Sequence, residues 1–334
     1  MPVNGQLPDP EVLAGAVCTG ERAALARALN LLDDKRSASR RCAATLLGHL
    51  QQRDKKPHQA HLIGITGPPG AGKSSLTAAL IARWRQLGKR VGVLAVDPSS
   101  QISGGALLGD RVRMKTSSED DGVFVRSLAC RGEFGGLSAE VWPMSLVMLA
   151  AFDITLIETV GVGQREIDVA GMCDTTCYVA QPGSGDSVQF LKAGILEVPH
   201  ILVVNKEDMG AVARRTLSEL GAALRREHGE GEWQVSVLSA SATRGTGIDA
   251  LANELERHHE LLLARGALQP RRRQYQARWI LKRLQEEFGS HGVAHLGGAQ
   301  KILDKLQVRD AALFEQYDEL RQQAESIYHQ TPSS

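Results

Sequence analysis

Apolar runs and helical stripes alternate along this chain, and the alternation predicts most of its elements. From Gly20 to about Gln52, Leu25, Ala28, Leu29 and Leu32, then Ala43, Leu46, Leu47 and Leu50, recur at helical spacing, which predicts one or two amphipathic helices. Upstream, Asp9-Pro10-Glu11 reads as a helix cap with proline at the first helical position. The run Arg53-Asp54-Lys55-Lys56-Pro57 ends this helical stretch, because a proline and its predecessor resist helix. Short continuous apolar runs then predict strands at His61–Thr66, Arg90–Val96, Val123–Arg126, Ile154–Ile157, Thr176–Ala180, Ile201–Val204 and Val235–Leu238. Helical patterns separate them: Ser74 to about Leu87, Ala139–Ala150, Ser187–Leu196, Ala211–Glu227 and Ile248–Leu263. Strands without a polar face, alternating with helices, predict an α/β fold. Its sheet is mostly parallel and covered by helices on both faces, with ligands at the carboxyl ends of the strands.

The tail from Gln269-Pro270 reads as helical again. Ala277, Ile280, Leu281, Leu284 and Phe288 form one face, and Arg271, Arg272, Arg273, Arg278, Lys282 and Arg283 form a face read as solvated or as meeting an acidic partner. Gly289 to Gly298 reads as a turn region. Leu313, Tyr317, Leu320, Ala324 and Ile327 then step by four and three, a seam under three heptads that suits self-association slightly better than packing within the chain. The organisation expected is a helical extension over 1–56, an α/β nucleotide domain over 57–267 and a helical arm over 268–334.

One stretch dominates the chemistry. In HLIGITGPPGAGKSSL a strand breaks at Gly67, winds through Pro68, Pro69, Gly70, Ala71 and Gly72, and meets a helix at Lys73-Ser74-Ser75. Glycine, four residues, then Gly-Lys-Ser is the phosphate-loop spacing. Its glycines aim backbone N–H groups into one concavity, and the helix N-terminus adds partial positive charge. Lys73 supplies a cation to the outer phosphates, and the Ser74 hydroxyl is placed to ligate Mg²⁺. The fold expected is therefore a P-loop NTPase.

Three further constellations end strands. In Asn205-Lys206-Glu207-Asp208, the Asp208 carboxylate can accept hydrogen bonds from guanine N1–H and its exocyclic amine, while adenine would leave it unpaired. Asn205 would tie loops together and the Lys206 stem would cover the base. Ser239-Ala240-Ser241 offers a backbone contact to guanine O6. In Glu158-Thr159-Val160-Gly161, Glu158 could hold Mg²⁺ or its water and the Gly161 N–H could find the γ-phosphate; the alternative is a carboxylate capping the following helix. Asp97 ends a strand expected beside the phosphate loop, and Asp110 lies in a glycine-rich loop; each could join the metal shell or form a turn. Gln164 and Arg165 are polar candidates near the γ-phosphate.

Composition narrows the partners. Lys plus Arg number 39 against 38 for Asp plus Glu, so no charge field argues for nucleic acid or an anionic membrane. No apolar run approaches the roughly 20 residues of a membrane span, and the first residues show no signal-peptide pattern. The five cysteines, Cys18, Cys42, Cys130, Cys173 and Cys177, suit reduced thiols in the cytoplasm. Cys173 and Cys177 read as buried thiols rather than metal ligands.

Taken together, GITGPPGAGKSSL, LAVDPSS, SGGALLGDRVRM, RGEFGGLS, LIETVGVGQ, QPGSGDSVQFLKAGILEVPHILVVNKED and the closing SA resemble, in order, the MeaB/ArgK-type GTPases of the SIMIBI class. The resemblance covers roughly Gly20 to Leu284. It implies a cytoplasmic, Mg²⁺-dependent GTPase, cycling between GTP and GDP, that is slow alone and stimulated by a client. The client implied is an adenosylcobalamin-dependent acyl-CoA mutase, whose cofactor loading the GTPase gates and whose inactivated cofactor it helps replace, with an adenosyltransferase as a further partner. It also implies a homodimer joined through the C-terminal helices, and switch segments near Gln101–Arg113, Gly161–Asp168 and Gly183–Lys192, the last containing Asp186 and Lys192. Departures fall at SLACRGEFGG and SGGALLGDRV, where contact with a particular mutase would be altered. The competing readings are a nickel-enzyme maturation GTPase, a P-loop kinase, and a binding module with a purely structural nucleotide.

Overall fold

The structure, a computed structural model, describes residues 7–52, 59–98, 120–130, 140–159, 171–183, 199–227, 233–308 and 312–330. The chain divides into two compact units, one of Ala60–Ser138 and Phe152–Arg265, the other of Met1–Gln59, Ala139–Ala151 and Gly266–Ser334.

The first unit is built on strands β1 (His61–Thr66), β2 (Val91–Pro98), β3 (Val123–Cys130), β4 (Ile154–Thr159), β5 (Thr175–Ala180), β6 (Ile201–Val204) and β7 (Ser236–Ser239). They form one seven-stranded sheet in the order β3-β2-β4-β1-β5-β6-β7, and every pairing is parallel. All residues of β1, β4, β5 and β6 are buried, the physical reason these strands carry no polar alternation. On one face Ile63 and Ile65 of β1 and Cys177 and Val179 of β5 pack with Leu76, Leu80 and Trp84 of a helix at Lys73–Gln86, and with Leu251 and Leu255 of another at Ile248–Ala264. On the other face Tyr178 and Ala180 of β5 and Leu202 and Val204 of β6 pack with Leu220 and Leu224 of a helix at Ala211–Glu227. Strands β2, β3 and β4 run two to four residues past the apolar runs that announce them, to Pro98, Cys130 and Thr159. Hydrogen bonds to a neighbouring strand, rather than apolar side chains, decide where a strand stops.

The second unit is helical: α1 (Pro10–Thr19), α2 (Arg22–Asp33), α3 (Ser37–Gln52), then, numbering the helices above α4 (Lys73–Gln86), α6 (Ala211–Glu227) and α7 (Ile248–Ala264), α5 (Val141–Ala151), α8 (Leu268–His295), α9 (Ala299–Val308) and α10 (Leu313–Gln330). Among the described residues two helices, α2 and α3, fill Gly20 to Gln52 as the pattern predicts, and α1 follows the Asp9-Pro10 cap. Asp9 caps α1 by accepting from the Glu11 and Val12 backbone N–H groups at 2.9 and 3.3 Å, and Gly20, at φ 78°, ends it. α5 has no polar stripe, and every residue of it but Leu146 is buried; it packs against α1, α2 and α3.

Three expectations for the tail are corrected. Helix α8 does not stop at Gly289; it breaks there (φ 65°, ψ −173°) and resumes to His295, so the turn is confined to Leu296–Gly298. Arg272 is buried rather than part of a solvated face. Leu313, Tyr317, Leu320 and Ala324 of α10 are 0–6% exposed within the single chain, so this seam is spent on internal packing, against α8 and α3. Trp279 of α8 meets Phe314 and Tyr317 edge-on, at 5.7 and 5.8 Å. Among the described residues no helix is long and apolar enough to cross a membrane.

Candidate nucleotide site

The phosphate loop leaves the central strand β1 and enters α4, and two of its glycines are required by their surroundings. A Cβ on Gly67 (φ 139°) would lie 2.3 Å from the Val179 carbonyl oxygen of the adjacent β5. A Cβ on Gly72 (φ 88°), the N-cap of α4, would lie 2.4 Å from Asn205 Nδ2. Lys73 is buried, and its ammonium donates to the carbonyl oxygens of Gly67 at 2.6 Å and Pro68 at 2.9 Å. Pro69, Gly70 and Ser75 are exposed, while Ala71 is buried and its N–H donates to Pro68 O at 3.3 Å. The lysine thus folds back along its own loop, its charge held over the concavity where phosphates would lie.

Ser74 Oγ donates to Glu158 Oε1 at 2.6 Å, joining the first turn of α4 to the penultimate residue of β4. Glu158 is 1% exposed. A buried carboxylate against a hydroxyl is a set of hard oxygen donors, which fits Mg²⁺ and not a soft metal. Asp97 is placed differently from expectation. β4 lies between β2 and β1, so Asp97 follows the Val96–Thr159 pair at the edge of β4, not beside the phosphate-loop strand, and only its backbone is described. Asp110, Gly161, Gln164, Arg165, Asp186 and Lys192 lie outside the described residues, as do the switch segments around them apart from Gly183.

The second half of the site is assembled from the ends of β6 and β7. Asn205, 2% exposed, donates through Nδ2 to Ala71 O at 2.9 Å and Gly72 O at 3.3 Å, while its Oδ1 accepts from the Ala242 N–H at 3.4 Å. One side chain therefore fastens the phosphate loop to both flanking strand ends. Lys206 has φ 59°, the sole positive value outside glycine among the described residues, and turns the chain into the short 3₁₀ segment Glu207–Met209. The Glu207 N–H donates to Ala240 O at 2.9 Å, the Ala240 N–H to Val204 O at 3.0 Å, and Ser239 ends β7. Asp208 is exposed and accepts from Ser241 Oγ at 2.5 Å. That hydroxyl first, then a backbone N–H and the charges of Arg244 and Lys206, holds the Asp208 carboxyl below its ordinary range. An ionised, oriented acceptor is thus offered to solvent beside the phosphate loop.

Gln181, directly after β5, is a site residue that sequence reasoning missed: its side-chain oxygen would lie 3.3 Å from a Cβ on Gly70. Its signal was a polar residue at a strand end, but only the β1–β5 pairing shows which loop it faces. Cys173 and Cys177 are buried thiols, as the apolar pattern around them required, and burial pushes the Cys177 thiol up to about 12.

The family profile described as "Methylmalonyl Co-A mutase-associated GTPase MeaB" matches residues 25–296. GTPase ArgK of Escherichia coli is 35% identical over 280 residues, covering 81% of this chain and 82% of that one. The mouse protein named "Methylmalonic aciduria type A homolog, mitochondrial" is 35% identical over 287 residues, covering 83% of this chain and 69% of that one. The crystal structure of an LAO/AO transport system kinase superposes with a TM-score of 0.69 at 25% identity, covering 94% of this chain and 97% of the other. With a phosphate loop, an oxygen-donor pair at its helix and an oriented carboxylate on one parallel sheet, and with matched residues spanning most of its length, this chain belongs to the MeaB family of methylmalonyl-CoA mutase-associated GTPases.

Proposed function

We propose that this GTPase is a nucleotide-gated chaperone of an adenosylcobalamin-dependent acyl-CoA mutase, admitting intact cofactor and promoting replacement of inactivated cofactor. The observation that carries the reading is the Asn205 clamp. Phosphate-loop and base-recognition groups share one buried side chain, so occupancy at one is transmitted to the other. Asp208, with Ser241 behind it, selects guanine by accepting from its N1–H and 2-amino groups. Ser239 and Ala240 bring the backbone close to O6, and the Lys206 stem covers the base. Lys73 exchanges the Gly67 and Pro68 carbonyls for phosphate oxygens, and the loop N–H groups hold the phosphates in line for attack. Ser74 and Glu158, with Asp97 through the edge of β4 and Asp110 from its loop, would hold Mg²⁺, which when bound neutralises charge developing on the phosphate oxygens. The Gly161 N–H would meet the γ-phosphate. Hydrolysis is slow alone and rises when a client rearranges the segments carrying Arg165, Asp186 and Lys192 so that a cation meets the γ-phosphate. The chain works as a homodimer, through a surface of its C-terminal helical arm other than the α10 seam.

GTP turnover, alone and with each candidate acyl-CoA mutase and with ATP as control, tests this reading. Stimulation by one mutase, abolished in Lys73→Ala, is expected; GTP turnover indifferent to every mutase refutes the chaperone role and leaves the nucleotide site standing. Arg165→Ala and Lys192→Ala should lower stimulated turnover more than basal turnover.

A further inference from the structure

The stretch of α8 beyond its break at Gly289 carries His291 and His295, four residues apart and so on one helical face. Their ring centroids are 4.1 Å apart, with planes inclined at 52°, and both residues are exposed. His295 Nδ1 lies 2.9 Å from the His291 carbonyl oxygen. A carbonyl oxygen only accepts, so this contact puts the His295 proton on Nδ1 and leaves the Nε2 lone pair outward. Histidines that bind metals are commonly held in this way, with the far N–H on a backbone carbonyl fixing tautomer and ring orientation.

Two nitrogens bound to one ion at about 2.0–2.1 Å each lie no more than about 4.2 Å apart. With the His295 ring held by its carbonyl contact, rotation of the His291 ring about its side-chain torsions meets that span. We propose that His291 and His295 form a two-imidazole site for a divalent late first-row metal ion, of the class of Ni²⁺, Cu²⁺ and Zn²⁺. Imidazole donors select these ions and discriminate against Mg²⁺, so the site is chemically separate from the oxygen donors at Ser74 and Glu158. Among the described residues no group of three or more His, Cys, Asp or Glu stands at metal-binding spacing. The described residues therefore supply two ligands, and water or a further donor completes the coordination. A chelate across one turn pins the helical piece that follows the Gly289 break.

Calorimetric titration of the full-length protein with Ni²⁺ at about pH 7.5 tests the site. One ion per chain is expected, and His291→Ala and His295→Ala should each weaken binding by about 100-fold, because either change converts a chelate into a single ligand. Cu²⁺ bound to the wild type should show magnetic coupling to two nitrogens, and to one in each variant. Basal GTP turnover should be unchanged, since neither residue belongs to the nucleotide site. Both side chains are exposed, so the variants should keep the wild-type circular dichroism. Failure of the wild type to bind Ni²⁺, or undiminished binding in both variants, overturns the proposal.

Discussion

Replacing Gly72 by alanine tests whether Asn205 is what fixes the phosphate loop. The new Cβ would stand 2.4 Å from Asn205 Nδ2, so the amide must leave its hydrogen bonds to Ala71 O and Gly72 O. Two such bonds contribute about 1–3 kcal/mol together. The backbone at φ 88° adds about 1–2 kcal/mol, because an L side chain is strained there. Gly72→Ala should therefore destabilise the nucleotide-free protein by about 2–5 kcal/mol, the sum of those two costs, a large fraction of the roughly 5–15 kcal/mol of a typical domain. In an Asn205→Ala background the obstructing amide is gone and only the backbone cost of about 1–2 kcal/mol remains. Urea unfolding of the four proteins of this cycle, compared by midpoint at constant m, measures the coupling. A coupling of about 1–3 kcal/mol is expected. Additivity within about 0.5 kcal/mol would show that the clash with Asn205 is not the cause.

Other outcomes follow from neighbouring geometry. Gly67→Ala should cost more than Gly72→Ala and resist rescue, because its Cβ would meet the Val179 backbone oxygen rather than a side chain that can be deleted; loss smaller than that of Gly72→Ala would contradict this. Asp208→Asn should lower GTP affinity by about 10²-fold or more and favour xanthosine triphosphate, whose 2-oxo group suits an amide donor; competition binding measures both. Because Ser241 holds the Asp208 carboxyl below its ordinary range, its contribution is complete above the unfolded value near 4 and is lost only as pH falls through the lower folded value. GTP affinity in the wild type should accordingly show no titration of this group between about pH 5 and 7, and a loss in that window that disappears in Asp208→Asn would refute the assignment. The Cys177 thiol, pushed to about 12 by burial, stays protonated in the folded state while the unfolded chain ionises above about 8.5. Stability should then fall with alkaline pH by about 1.4 kcal/mol per unit for this thiol, a slope absent in Cys177→Ala.

What was legible in the sequence divides along a physical line. Strands buried on both faces carry continuous apolar runs, so β1, β4, β5 and β6 could be read directly, and Ile201–Val204 and Ala211–Glu227 have the bounds that their pattern suggests. The phosphate loop was equally plain, since its glycines, Lys73 and Ser74 answer demands local to six or eight residues. Asp9-Pro10 was legible for the same reason, as a cap makes its bonds within three residues.

Sequence reasoning stopped wherever adjacency between distant segments decides the outcome. Asp97 lies in the last two residues of a strand, close to where its pattern put it, yet nothing local says that β4 is inserted between that strand and β1. Helix α5 has no polar stripe, so its periodicity could not name its neighbours, and it belongs with the terminal helices rather than with the sheet unit that flanks it in the chain. The heptad-like seam of α10 is real, but periodicity reports only that one face is covered, not by what; here α8 and α3 of the same chain cover Leu313, Tyr317 and Leu320. Gly289 misled for a related reason: one left-handed residue interrupts a helix without ending it when hydrogen bonding resumes beyond. Asn205 stands between the two cases. Its place in a guanine-recognition tetrapeptide was visible, and so was a role in tying loops. The close approach that forces glycine at position 72 exists only because β6 ends where the β1 loop passes. The residues that touch nucleotide are thus encoded locally, and the coupling between them is encoded in strand order.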